Sequence, residues 1–204
     1  MRRIGLDFDN TMICYDSVFL SAAKERGLAP PDFVGSKQQI RDAIRLRPGG
    51  ETAWRQLQGY VYGRGLDRAE AFEGLATFLK RARSAGDAIV VISLKTEFGH
   101  LDPERINLRQ AALAWMKAEG LFENDRPAGL VGAVFFEGTR AEKLRRIAST
   151  RCDIFVGDLE EVLADPDFPP GVERILFSHR PSGAIAAPHK VCASWAAVEE
   201  TLFA

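Results

Sequence analysis

The stretch Ile4-Gly5-Leu6-Asp7-Phe8-Asp9-Asn10-Thr11 joins a short apolar run to two acids and a turn. Ile4-Gly5-Leu6 is the pattern of a buried first strand. Two acids two positions apart would share one face of an extended segment. Asn10 and Thr11 favour a bend here, so the strand ends and both carboxylates can converge on one point. Such a pair can hold a divalent cation, with one acid acting as nucleophile while the other moves protons. An Asp-rich turn without chemistry has the same local sequence, so the surrounding chain has to decide between the two.

Working outward, three further apolar runs end on polar residues that could face the same point. Ala88-Ile89-Val90-Val91-Ile92 leads to Ser93, and Val131-Gly132-Ala133-Val134-Phe135-Phe136 is followed by Lys143. Asp153-Ile154-Phe155-Val156-Gly157 leads to Asp158. The order Asp-x-Asp-x-Thr (Asp7, Asp9, Thr11), Ser93, Lys143 and Asp158 resembles the four motifs of the haloacid dehalogenase superfamily, over residues 1 to about 180. A further strand is predicted at Arg174-Ile175-Leu176-Phe177, and a terminal helix from Trp195 to Leu202. Strands alternating with helices predict an α/β fold, a doubly wound, mostly parallel Rossmann-like sheet. The resemblance implies that the first strand is central, with a small helical cap inserted after it.

The insert is legible from helical spacing. Val18, Phe19, Ala22 and Ala23 precede Gly27, a natural helix stop. Ser36 with Gln39 forms a capping box before Ile40, Ala43 and Ile44. After Pro48-Gly49-Gly50, Trp54, Leu57 and Val61 mark a third helix. Residues 16–68 are thus expected to form a C1-type cap, and residues 1–15 with 69–204 the catalytic core. Arg41, Arg45 and Arg47 suit a solvated helix face. Gln58-Gly59-Tyr60-Val61-Tyr62-Gly63-Arg64, with its bracketing glycines, suits a flexible ligand-facing turn, making Gln58, Tyr62 and Arg64 substrate-binding candidates.

In the core, a helix is expected at about 69 to 85. Lys95 and Thr96 follow Ser93 at the carboxyl end of a strand, where open α/β sheets bind ligands, so Lys95 is a candidate for a substrate anion or for phosphate. Asp102-Pro103-Glu104 predicts a helix start, with Asp as N-cap and Pro at the first helical position. Thr139-Arg140-Ala141-Glu142 is another capping box. It places Lys143 in a first helical turn, where a cation opposes the helix dipole and calls for a nearby anion. After Asp158, the acid often found adjacent or four to five residues on is missing. Glu160 and Glu161 are the nearest acids, and Glu161 could assist through water.

At 204 residues the chain suits one well-cored α/β domain with a modest insert. A net charge of -1 gives no global attraction to nucleic acid or to anionic membranes. Cys14, Cys152 and Cys192 form no metal-like pair and suit reduced thiols, which points to a cytoplasmic location. No run approaches a membrane span, and Asp7 interrupts the place of a signal peptide's apolar core. Oligomeric state is not encoded in any pattern here.

The resemblance implies Mg²⁺-dependent hydrolysis of a small-molecule phosphate monoester through an aspartyl-phosphate. Asp7 would be the nucleophile and Asp9 the general acid and base. Mg²⁺ would be held by Asp7, Asp158 and the Asp9 carbonyl. Ser93 and the Asn10 or Thr11 backbone would grip the phosphoryl oxygens, and Lys143 would orient Asp7. A phosphotransferase or phosphomutase would use the same residues, and a silent phosphate- or partner-binding module would keep the fold alone. A dehalogenase shares the nucleophile, but Asp9 argues against it.

Overall fold

The computed structural model describes residues 1–123, 129–179 and 189–204. Its main sheet is built from β1 (Arg3–Leu6), β4 (Ala88–Leu94), β5 (Ala133–Glu137), β6 (Ile154–Gly157), β7 (Glu173–Phe177) and β8 (Lys190–Cys192). These six strands lie in the order β5-β4-β1-β6-β7-β8. Every neighbouring pair is parallel, with Leu6 opposite Val91 on one side of β1 and opposite Val156 on the other. The all-parallel arrangement explains the unbroken apolar runs, since both faces of such a sheet are covered. Two two-residue strands, β2 (Ile13–Cys14) and β3 (Glu70–Ala71), pair separately.

Alternation along the strands divides the core into two layers. Val90, Ile92, Phe155 and Leu176 pack with Leu144 and Ile147 of α6 (Arg140–Ser149) and Val162 and Leu163 of α7 (Glu160–Leu163). On the opposite face Phe177 stacks on Trp195 of α8 (Trp195–Phe203), ring centres 5.3 Å apart, and Trp195 also meets Phe78 of α4 (Leu75–Ser84). Gly5 is required within β1: a Cβ there would come within 2.7 Å of the Phe155 ring and 2.9 Å of Cys152 Sγ. A larger residue there would have to displace the Phe155 ring and the Cys152 thiol where β1 lies beside β6.

The chain folds into two compact units. One holds the sheet and comprises residues 1–13, 71–95 and 116–204. The other comprises residues 14–70 and 96–115, so it takes in a segment expected in the core. It contains α1 (Asp16–Glu25), α2 (Lys37–Arg45) and α3 (Gly50–Tyr62), followed by a 3-10 helix at Arg64–Arg68. The Ser36–Gln39 capping box forms as expected.

Several local expectations are corrected. Asp102 caps a turn, its carboxylate accepting from the N–H groups of Glu104 and Ile106 at 3.1 and 2.9 Å. Arg105 at φ 46° then excludes a helix. Helix α5 starts at Leu108 and runs to Ala118, with Asn107 Oδ1 accepting from Arg109 and Gln110 N–H. Helix α4 begins at Leu75 rather than near residue 69, because Gly74 at φ 84° reorients the chain. At Thr139 only half the box forms, since Glu142 reaches the N–H of Gly138 instead. The third long strand is shifted to Ala133–Glu137, and β8 was not expected. Lys190 and Val191 are exposed on it, so an edge strand this short carries no apolar run.

Candidate active site

All six strands of the main sheet run the same way, so residues just past β1, β4 and β6 meet at one sheet edge. Strand order reverses on either side of β1, which is where open α/β sheets form a ligand crevice. Asp7 leaves β1 there and is anchored by its own N–H, which donates to the Val156 carbonyl at 2.8 Å. Its Oδ1 accepts from the Phe8 N–H at 2.8 Å, and its Oδ2 accepts from Lys143 Nζ. Asp7 is 3% exposed and Lys143 is fully buried. Lys143, four residues into α6, thus has the anion that its place against the helix dipole requires.

The loop after Asp7 is tightly wound. The Phe8 carbonyl accepts from the N–H groups of Thr11, Met12 and Ile13. Asn10 takes a left-handed conformation, φ 53°, which Asn tolerates better than most residues. The Asn10 amide donates to Asp158 Oδ2 at 3.2 Å. The Thr11 carbonyl accepts from the indole N–H of Trp195 at 3.0 Å. In the sequence Trp195 reads only as the start of a terminal helix, and nothing local signals this bond, made across most of the chain.

Lys95 occupies a place that the sequence left between substrate and phosphate. Its Nζ lies 3.0 and 2.9 Å from the two carboxylate oxygens of Asp9. The site therefore pairs acid with base twice: Asp7 with Lys143, Asp9 with Lys95. Asp158 has the Asn10 amide as its partner. Burial pushes its carboxyl up to about 7, and the negative charge of Asp7 adds to this; Lys143 and Asn10 pull the other way.

Two buried hydroxyls stand out. Ser93 Oγ and Thr11 Oγ1 have no hydrogen-bond partner among the described residues, although Ser93 is 1% and Thr11 0% exposed. Buried polar atoms are ordinarily paired, so both hydroxyls suit a ligand with acceptor oxygens.

Among the described residues, no three His, Cys, Asp or Glu side chains form a metal cluster. Mg²⁺ needs fewer, being held by one or two carboxylates together with substrate oxygens and water. Asp7 and Asp158, the charge of Asp7 raising the cost of ionising Asp158, are a fitting donor set. Glu161 is engaged elsewhere, in an exposed ion pair with Arg140 at 2.8 Å.

The remaining candidates belong to the other unit. The segment from Gln58 is not a turn: Gln58 to Tyr62 form the last turns of α3, and only Gly63 and Arg64 leave it. Gly59 serves close packing rather than flexibility, since a Cβ there would lie 3.1 Å from Asp102 Cβ. The Tyr62 hydroxyl accepts from Lys37 Nζ at 2.7 Å, and its ring meets Tyr15 and Phe19 edge-on. Arg64 is exposed and pairs with Glu104 at 2.8 Å.

No protein-family model matches the chain, and no curated protein does. Solved structures do. YfnB of Bacillus subtilis, described as a HAD-hydrolase and bound to magnesium, superposes with a TM-score of 0.65 at 10% identity, covering 100% of this chain and 99% of that one. The L-2-haloacid dehalogenase RSc1362 gives 0.60 at 14% identity, covering 100% and 99%. A predicted phosphoglycolate phosphatase from Haemophilus somnus gives 0.56 at 13% identity, covering 98% and 97%. With β1 central in a parallel sheet and Asp7, Ser93 and Asp158 all at its carboxyl edge, this chain has the fold of the haloacid dehalogenase superfamily.

Proposed function

We propose that this chain is a haloacid dehalogenase-superfamily hydrolase that cleaves a small-molecule phosphate monoester, with Mg²⁺, through an aspartyl-phosphate on Asp7. The observation that carries the reading is the pair of unpartnered buried hydroxyls, Ser93 and Thr11, at the sheet edge that also carries the lysine-held Asp7. A phosphoryl group has the acceptor oxygens to satisfy both, and hydroxyl donors placed there stabilise charge as it develops.

Asp7 attacks phosphorus in line, forming an acyl-phosphate bond as the bond to the ester oxygen breaks. Lys143 holds the attacking carboxylate in one orientation. Asp9 gives a proton to the departing oxygen, then takes one from the water that cleaves the acyl-phosphate. Asp7, Asp158 and the Asp9 carbonyl would hold Mg²⁺, which when bound offsets the repulsion between carboxylate and phosphate. Some structurally similar proteins are dehalogenases, which attack carbon; a second acid at Asp9 supports attack on phosphorus. The three free cysteines are consistent with a reducing cytoplasm, where we place the protein.

The test is turnover of p-nitrophenyl phosphate with and without Mg²⁺, alongside a 2-haloacid. Mg²⁺-dependent phosphate release with no halide release is expected, and an adduct of beryllium fluoride should sit on Asp7. Halide release without phosphatase activity would refute the reading. Screening alcohol acceptors separates hydrolysis from phosphoryl transfer.

A further inference from the structure

We propose that Lys95 is a positioning residue for Asp9, clamping both carboxylate oxygens so that the acid–base group faces the reacting oxygens in one orientation. The inference deepens the phosphatase reading above and rests on it. Three observations carry it. The ammonium lies almost equidistant from the two oxygens, at 3.0 and 2.9 Å, a placement that leaves the carboxylate little freedom to swing. The Lys95 side chain is 2% exposed while that of Asp9 is 24% exposed, so the lysine stands behind the acid rather than beside it in solvent. Finally, the Lys95 N–H donates to the Glu137 carbonyl at 3.0 Å, so the stem of the clamp is fixed to the end of β5.

Geometry also says why a clamp is needed here. Asp9 lies outside β1, in the loop wound around the Phe8 carbonyl, where its backbone bridges to Ile13. A carboxylate on such a loop has two free side-chain torsions. Proton transfer requires it within hydrogen-bond reach of the leaving oxygen, and a loosely held group loses much of that advantage. A side chain fastened to the neighbouring strand end supplies such a restraint.

A double-mutant cycle tests this: wild type, Lys95→Met, Asp9→Asn and the double variant, each assayed with Mg²⁺ on phenyl phosphate and p-nitrophenyl phosphate. Phenolate leaves less readily than nitrophenolate and depends more on proton donation. Lys95→Met should lower kcat on phenyl phosphate about 10- to 100-fold and on p-nitrophenyl phosphate clearly less, with KM changed by no more than about threefold. In the Asp9→Asn background the same substitution should cost less than about threefold, because the group it acts through is gone. Lys95→Arg, which can still span two oxygens, should recover most of the loss. Lys95→Gln runs the same cycle should Lys95→Met not fold. Equal losses in both backgrounds, or a raised KM with equal losses on both substrates, would mean that Lys95 grips the phosphoryl group directly and would overturn the proposal. So would an unchanged kcat. Wild-type protein that turns over neither phosphate would remove the phosphatase reading itself, a result recognisable before any variant is compared.

Discussion

Replacing Lys143 by Met removes the cation from a fully enclosed ion pair while keeping most of the side-chain volume. Asp7 would then be a carboxylate with 3% exposure, held among the described residues by the Phe8 N–H at 2.8 Å and close to the second acid, Asp158. Breaking one partner of a buried pair typically costs about 3–5 kcal/mol, since the other charge is left without compensation. With a urea dependence of about 2–3 kcal/mol per molar, the unfolding midpoint should fall by roughly 1–2 M. The assay is urea unfolding in EDTA, repeated with Mg²⁺. Added Mg²⁺ should return part of the loss, because a cation bound at Asp7 replaces the missing charge. Asp7→Asn should cost about as much by stranding Lys143, yet the double variant should cost far less than the two single losses added. A loss below about 1 kcal/mol for Lys143→Met, or strict additivity in the double variant, would refute the claim that this pair is an electrostatic unit.

Other outcomes follow from the same site. Asp7→Asn should abolish Mg²⁺-dependent phosphate release, measured colorimetrically, since an amide is no nucleophile here. Ser93→Ala and Thr11→Val should each leave stability unchanged or raise it by about 1 kcal/mol in thermal unfolding, because each removes an unpaired buried hydroxyl, while lowering affinity for inorganic phosphate or vanadate by calorimetry. Asp158, pushed up to about 7 without metal, must lose its proton to bind Mg²⁺, so titration calorimetry should find affinity weakening by up to about tenfold per pH unit below 7. The same raised value means that the folded state holds a proton that the unfolded chain has released. Metal-free stability should therefore decline as pH rises from about 4 to 7, and Mg²⁺ should reverse the decline.

Strands β1, β4 and β6 were legible because they are short apolar runs that each lead to a residue type with a chemical task, and parallel strands leave no polar alternation to confuse the pattern; β8, with no apolar run, was not. Lys143 was legible too, since a lysine in a first helical turn needs an explanation and Asp7 provides it. Lys95 was half-legible. Its place after Ser93 marked it as a site residue, but its partner, Asp9, is fixed by strand order, which a linear pattern does not contain. Gln58 to Arg64 misled because glycine has two uses. The pattern suggests flexibility, whereas Gly59 is there for the room that the backbone near Asp102 takes up. Asp102-Pro103 misled similarly: an Asx turn and a helix N-cap draw on the same side chain, and only the left-handed Arg105 separates them.

The indole bond from Trp195 to the Thr11 carbonyl has a consequence for how the protein is made. Its two ends are 184 residues apart, so a chain synthesised from its N-terminus has Asp7, Asp9, Ser93, Lys143 and Asp158 in hand before it has this bond. Contacts of such sequence separation form late, after the entropy of closing the intervening chain has been met by other structure. The turn that follows Asp7 therefore gains this bond only when α8 docks on the sheet. A nascent chain that has not yet reached Trp195 carries all five polar residues of the candidate site and still lacks this fastening of the turn after Asp7.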